Sequence, residues 1–182
     1  MTEPTRPSGP TRPSGPGSGL PPVRVAQEAW RELLRTSTVL LRDFEAAGDF
    51  GELSVREYDV LRALAESGGA DACGGLRLGA LAEATYLPQP SMSRLVERLE
   101  GRGLVARESS PGDGRGTLVC LTEAGRAAQR AVGRRHVRSI QAALAPLSVD
   151  ELALLTDLVA RLRAHAELAG AGDHQTFKRD AS

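Results

Sequence analysis

Apolar residues recur at helical spacing along most of this chain. Near the N-terminus they follow the positions i, i+3, i+4, i+7 and onward, which places them on one face of a helix over residues 23–46. That stripe consists of Trp30, Leu33, Leu34, Ser37, Leu40, Leu41 and Phe44. A second stripe, near the C-terminus, consists of Leu152, Leu155, Leu158, Val159 and Leu162. The pattern predicts a long helix at each end of the chain, and each stripe needs another surface to cover it.

Two predicted helices begin with the same local motif. Ser54 with Glu57, and Ser148 with Glu151, match the S-x-x-E capping box, in which a hydroxyl and a carboxylate each accept a backbone N–H. Hydrophobic residues stand at the staple positions of both motifs: Leu53 with Tyr58, and Leu147 with Leu152. The motifs predict helix starts at residues 54 and 148. We expect the buried face of the helix that starts at residue 54 to consist of Tyr58, Leu61, Leu64 and Ala65.

Two shorter helices are predicted in the middle of the chain. The first covers about 80–85, with Gly79 as its N-cap. The second covers about 89–101 and follows Pro88, a residue that the first turn of a helix tolerates. Its inner stripe consists of Met92, Leu95, Val96 and Leu99.

The pattern then changes from helical to extended. Short strands at 104–108 and 117–121 enclose SSPGDGRG, a run of turn-forming residues. A long helix from Thr122 to about Leu144 follows and ends before Pro146. The predicted fold class is therefore mainly α (α+β), a winged helix-turn-helix with six helices and a two-stranded β-wing.

The chain divides into four predicted regions. Residues 1–22 are rich in Pro, Gly and Ser and contain TRPSGP twice, so we expect a disordered tail. The winged helix-turn-helix covers 51–121. The segments 23–50 and 122–168 form a helical region outside it, and 169–182 is expected to be a flexible tail.

Composition narrows the class of protein. No run of 18 apolar residues and no apolar leader occurs, so we expect neither a membrane span nor secretion. Cys73 and Cys120 are the only cysteines and are expected to form no disulfide framework, which favours a cytoplasmic protein.

A formal net charge of zero conceals two halves of opposite sign. Residues 25–87 hold 6 arginines against 11 acidic residues, a balance of −5, whereas residues 88–138 hold 10 arginines against 5 acidic residues, a balance of +5. The basic half contains the second helix of the helix-turn-helix, which such folds place in the major groove of DNA.

Candidate DNA contacts follow from this placement. On the helix at 89–101 they are Gln89, Ser91, Ser93, Arg94 and Arg98. Glutamine suits adenine and arginine suits guanine as bidentate partners. Arg98, further along the helix, is expected at a phosphate, and contact with phosphate or solvent is an open alternative for each of the others. Arg107, at the end of the first wing strand, is a second phosphate candidate, with a solvated charge as the alternative.

The wing carries a recognisable motif. Asp113, Arg115, Val119, Leu121 and Thr122 fill the pattern D-x-R-x-x-x-V-x-L-T, and SMSRLVERLEGRGLVAR precedes it at 91–107. Over residues 25–167 the chain resembles the MarR family of bacterial transcriptional regulators.

The resemblance implies a regulator, most often a repressor, that binds double-stranded DNA at a pseudo-palindromic operator. It implies a homodimer formed by the N-terminal helix and the last two helices, and release by a small-molecule effector, often an aromatic acid. It also implies that Arg115 enters the minor groove and that Asp113 pairs with it. The chain departs from many members by having Gly114 where they carry a further arginine, which predicts a more flexible tip and a weaker minor-groove contact.

Other functional classes receive less support. The sequence lacks H-E-x-x-H, C-x-x-C, P-loop and G-x-S-x-G motifs, so we expect no catalytic, metal or cofactor site. A winged helix that binds proteins is one alternative. A cysteine-based redox sensor is another, although Asp71 would raise the pKa of the Cys73 thiol and Cys120 suits packing. Trp30, Tyr58 and His136 are candidates for an effector pocket, but core or surface roles are simpler, and the sequence assigns no effector site.

Overall fold

The computed structural model describes residues 19–67, 74–109 and 116–179, with side chains as far as Leu168. The elements are α1 (Val23–Ala46), α2 (Val55–Glu66), β1 (Leu76–Arg77), α3 (Leu78–Ala84), α4 (Gln89–Gly101), β2 (Val105–Ser109), β3 (Thr117–Leu121), α5 (Glu123–Leu144) and α6 (Val149–Arg179). The chain divides into two compact units, residues 1–42 and 43–182. The predicted mainly α winged helix-turn-helix is confirmed.

The sheet has one strand more than predicted. Its order is β1-β3-β2, and both pairings are antiparallel. Leu76 pairs with Val119, and Val105 pairs with Leu121. The predicted two-stranded wing is confirmed as the antiparallel pair β2 and β3. The sequence did not predict β1, because its two residues are too few for an alternating pattern to be visible.

The start of α3 also differs from its prediction. The helix begins at Leu78, and its N-cap is Arg77 rather than Gly79. Arg77 is extended, with φ −66° and ψ 149°, and makes no capping hydrogen bond through its side chain. Its pairing with Leu118 across the sheet holds it extended, so the helix can begin only at the next residue.

The last helix is longer than predicted. Its backbone remains helical through Arg179, although the sequence suggested a flexible tail from residue 169. Gly170 and Gly172 each lower helix stability by only about 1 kcal/mol relative to alanine, and no proline interrupts the segment.

The hydrophobic core lies in the second unit, where α2, α3, α4 and the sheet meet. The predicted inner stripe of α4 is confirmed, since all four of its residues are buried. Tyr58, Leu61 and Leu64 of α2 are buried as predicted, whereas Ala65 is exposed. Burial of a leucine or methionine side chain contributes about 1.5–3 kcal/mol, so this stripe holds α4 firmly on the domain.

Two helices contrast with this core. No residue of α1 is buried. Its exposed large apolar side chains are Val23, Val25, Trp30, Leu33, Leu34, Val39 and Leu41. Those of α6 include Leu154, Leu155, Leu158, Val159 and Leu162. Within the described parts of the chain no helix is long and apolar enough to cross a membrane.

A polar cluster fastens α5 to the turn that precedes α2. The buried Asp49 carboxylate accepts a hydrogen bond from Ser139 Oγ at 2.7 Å and lies 2.9 Å from His136 Nδ1. Arg135 Nε donates to the Asp49 carbonyl at 3.1 Å. The His136 ring also packs against Phe44, with ring centroids 4.9 Å apart. His136 is thus a satisfied, half-buried side chain, in agreement with the simpler of its two predicted roles.

One prediction about the cysteines needs correction. Cys120 is buried in β3, as expected of a packing residue, but it is disulfide-bonded. The spacing of cysteines along a chain does not tell which thiols approach within bonding distance, so this bond could not be predicted from the sequence. Cys73 lies outside the described residues.

Candidate nucleic-acid interface

The N-terminal half of α4 exposes most of the predicted DNA contacts. Ser91 and Arg94 are exposed on the side of the helix away from the buried stripe. Gln89 is exposed at the first position of the helix, where its side chain neighbours Gly79 of α3. Ser93 is half-buried, and its hydroxyl lies 3.4 Å from Glu97 Oε1. The helix therefore offers an amide, a hydroxyl and a guanidinium to any ligand that approaches its N-terminal half.

Arg94 differs from the other predicted arginines in its electrostatic surroundings. Within residues 19–67, 74–109 and 116–168 it forms no ion pair, whereas Arg98 and Arg107 each face a carboxylate. Arg107, on β2, places its Nε 3.7 Å from Glu100 Oε2. Arg94 is therefore the guanidinium of α4 with the fewest competing contacts. Asp113 and Arg115, the predicted wing contacts, lie outside the described residues.

Arg98 is bound to the neighbouring helix. Its Nε lies 3.5 Å from Glu57 Oε1, and Arg102 NH1 lies 3.3 Å from Glu57 Oε2. Burial raises the pKa of the Glu57 carboxyl, but hydrogen bonds from Ser54 and the charges of Arg102 and Arg98 outweigh burial, so the pKa lies below its ordinary value. Nothing in the spacing of the sequence signals this contact, because Glu57 and Arg102 belong to different helices.

The turn before α4 is compact. Tyr86 adopts a positive φ of 54°, which brings Leu87 and Pro88 round to the start of the helix. The Tyr86 hydroxyl donates to Glu167 Oε1 of α6 at 2.6 Å. This hydrogen bond raises the pKa of the Tyr86 phenol. Sequence reasoning missed the contact, because 81 positions separate the two residues.

Residues 52–116 match the model of the MarR family. Over 83 residues the chain is 34% identical to YdgJ of Bacillus subtilis (strain 168), an uncharacterized HTH-type transcriptional regulator. That alignment covers 46% of this chain and 51% of YdgJ, so the chain spans about half the length of this relative.

Two solved structures from Streptomyces coelicolor share the fold. Sco3205, a MarR family transcriptional regulator solved in complex with DNA, is 27% identical, with a TM-score of 0.67 over 77% of this chain and 89% of that chain. The PcaV transcriptional regulator, solved with its natural ligand, is 30% identical, with a TM-score of 0.55 over 80% of this chain and 93% of that chain. All three relatives are transcriptional regulators rather than enzymes. With its winged helix and its match to the family model, this chain belongs to the MarR family of transcriptional regulators.

Proposed function

We propose that this protein is a sequence-specific repressor that binds double-stranded DNA as a homodimer at a pseudo-palindromic operator and leaves it when a small molecule binds. The observation that carries the proposal is the exposed N-terminal part of α4, where Ser91 and Arg94 project away from the buried stripe and Gln89 is exposed at the start of the helix. Such a helix can enter the major groove without any loss of core packing.

The proposed contacts divide by chemistry. Gln89 and Arg94 read base edges as bidentate partners, and Ser91 and Ser93 add single hydrogen bonds. Arg98 contacts a phosphate with its terminal NH groups while its Nε keeps facing Glu57 Oε1, and Arg107 exchanges Glu100 for a phosphate. Arg115 enters the minor groove with Asp113 beside it.

Homodimer formation is supported by the uncovered apolar stripes of α1 and α6. Leucine-rich stripes of this length rarely remain in water, and a second copy of the chain offers the complementary stripes. A two-fold dimer then places two α4 helices about 34–36 Å apart, one turn of DNA. Sedimentation equilibrium of the full chain tests this: we expect twice the monomer mass of 19.2 kDa, and a monomer at micromolar concentration contradicts it.

The effector is proposed by class alone. PcaV was solved with a natural ligand, and this chain shares its fold at 30% identity, which supports ligand control here too. A small aromatic acid is the class that we propose. No site is assigned to it.

Binding of the promoter DNA around the protein's own gene, followed by fluorescence anisotropy at several salt concentrations, tests the DNA function. We expect tight binding with a steep negative slope of log affinity against log salt. Arg94→Ala should weaken operator binding by about 1–3 kcal/mol, and Arg115→Ala should reduce the salt slope by about 1. Arg161→Ala, at an exposed arginine paired with Asp157 on α6, is the matched control. Equal affinity for operator and random DNA at moderate salt would contradict the proposal.

A further inference from the structure

Glu57 combines burial with an unusual number of partners. It occupies the third position of α2, and only 6% of the residue is exposed. Its Oε2 accepts the Ser54 backbone N–H at 2.8 Å and the Ser54 hydroxyl at 3.1 Å, and it faces Arg102 NH1 at 3.3 Å. Its Oε1 faces Arg98 Nε at 3.5 Å. A buried carboxylate needs such compensation, and here half of it comes from α4.

Both arginines lie at the C-terminal end of α4. Arg98 is in the last turn, and Arg102 is the C-cap residue. The negative charge of Glu57 is favourable in the first turn of α2 but unfavourable beside the C-terminus of α4, because the two helix ends carry opposite partial charges. Arg98 and Arg102 neutralise that charge at the end of α4. Arg102 also donates to the Glu52 carbonyl at 3.4 Å, which extends the attachment to the residues before α2.

These charged contacts restrict a motion that the apolar stripe restricts less. Hydrophobic contacts are non-directional and allow a helix to tilt or rotate slightly, whereas two ion pairs and the hydrogen bond from Arg102 to the Glu52 carbonyl tie one end of α4 to particular atoms. Nine residues of helix separate Arg98 from Gln89, about 14 Å at 1.5 Å per residue. A tilt of about 10° at the Arg98 end would therefore displace Gln89 by about 2 Å, which exceeds the tolerance of about 0.5 Å for a functional contact.

We propose that Glu57 is a positioning residue for DNA recognition, which holds α4 in the orientation that base readout requires through Arg98 and Arg102. The inference rests on the proposed DNA-binding function. Glu57 itself does not touch DNA, and its negative charge opposes the attraction of phosphates. Glu57 thus lowers affinity for DNA of any sequence while it raises the preference for the operator.

The test compares operator DNA with random DNA of the same length at one salt concentration, at a temperature where circular dichroism shows every variant folded. Glu57→Gln should lower the ratio of operator to random affinity by about tenfold, the loss expected when one bidentate base contact is misaligned. Affinity for random DNA should rise, because one negative charge has been removed.

Three further variants separate positioning from other causes. Arg102→Ala should also lower the ratio of operator to random affinity. It lowers the net charge by one, whereas Glu57→Gln raises it by one, so a loss in both variants cannot be caused by net charge. Ser54→Ala removes the capping hydroxyl but leaves both arginine contacts, and Glu151→Gln alters the same motif at the exposed start of α6. Both should leave the ratio within about twofold of the wild type, a change below 0.5 kcal/mol.

An unchanged ratio in Glu57→Gln, or an equal loss in Ser54→Ala, overturns the inference. A measurement made without DNA distinguishes failure of the positioning role of Glu57 from failure of the proposed DNA-binding function. Amide hydrogen exchange over residues 91–94 should be faster in Glu57→Gln than in Ser54→Ala, because α4 has lost an attachment. If the wild type shows no preference for the operator, the proposed DNA-binding function fails. If amide exchange is also equal in Glu57→Gln and Ser54→Ala, the proposal that Glu57 positions α4 fails as well.

Discussion

The starts of α2 and α6 share one motif but differ in everything around it. Both capping boxes form: Ser54 N–H donates to Glu57 Oε2 at 2.8 Å, and Ser148 N–H donates to Glu151 Oε2 at 2.8 Å. Glu57 is buried and faces two arginines, whereas Glu151 is exposed and, among the residues that the structure describes, contacts only Ser148. A local motif therefore determines where a helix starts, while its tertiary surroundings determine what other contacts the motif makes.

The bodies of the two helices repeat the contrast. Six residues of α2 are buried, among them Leu61 and Leu64, whereas the leucine stripe of α6 remains exposed. The core therefore stabilises α2 within one chain, and α6 gains comparable stabilisation only from another surface.

The start of α5 should be more sensitive than the starts of α2 and α6. Thr122 is its N-cap and accepts the Gly125 N–H at 3.0 Å, while the Thr122 hydroxyl donates to the Gly103 carbonyl at 2.7 Å. A Cβ on Gly125 would overlap the backbone carbonyl oxygen of Leu104, which cannot move away as a side chain can. Gly125→Ala should lower the free energy of unfolding by about 3 kcal/mol, measured by urea denaturation.

Gly133→Ala, in the middle of the same helix, is the control for that prediction. A Cβ there would meet Tyr58 Oη at an ordinary 3.6 Å. Alanine should then stabilise the helix by about 0.5–1 kcal/mol. Similar destabilisation by both substitutions would show that the approach to Leu104 is not the cause.

Glu57→Ala and Glu151→Ala compare the two capping boxes directly. We expect Glu57→Ala to lower the free energy of unfolding by about 2 kcal/mol, because it removes the cap and leaves two arginines and the Ser54 N–H without their acceptor. Glu151→Ala should have a clearly smaller effect, since water replaces the exposed carboxylate. Equal losses, measured by urea denaturation, would mean that the arginine contacts add nothing to the cap.

A double-mutant cycle assigns the difference to individual arginines. The coupling between Glu57 and Arg102 should be about 1 kcal/mol, because the Arg102 side chain is only 34% exposed. The coupling between Glu57 and Arg98 should be smaller, because the Arg98 side chain is 64% exposed and water screens the pair. The reverse order would place the stronger contact at the helix interior rather than at the C-cap.

The smallest effect is a dependence on pH. The pKa of Glu57 lies below its ordinary value of 4.5 in the folded protein, so the ionised form favours folding. That contribution is complete above about pH 4.5 and disappears as the pH falls through the lower pKa of the folded state. The stability difference between the wild type and Glu57→Gln should therefore remain constant from about pH 7 to pH 5 and shrink below that range. A difference that grows on acidification contradicts this sign.

The sequence predicted those features that depend on neighbours along the chain. The bounds of α1, α4 and β3, and the capping boxes that start α2 and α6, emerge as predicted. Each rests on periodicity or on a hydrogen bond between residues three positions apart, so a short window of sequence contains all the partners. The exposed positions of Ser91 and Arg94, opposite the buried stripe of α4, follow from the same periodicity.

Features whose partners are distant in sequence depend on the packing of the elements. Strand β1 exists because Leu76 meets Val119, and Arg77 precedes α3 without a capping bond because the sheet holds it extended. The bond at Cys120 and the contacts of Glu57 with Arg98 and Arg102 likewise depend on which elements pack together. Periodicity and local motifs specify each helix separately, whereas directional contacts between elements arise only when burial of the core has set their relative positions.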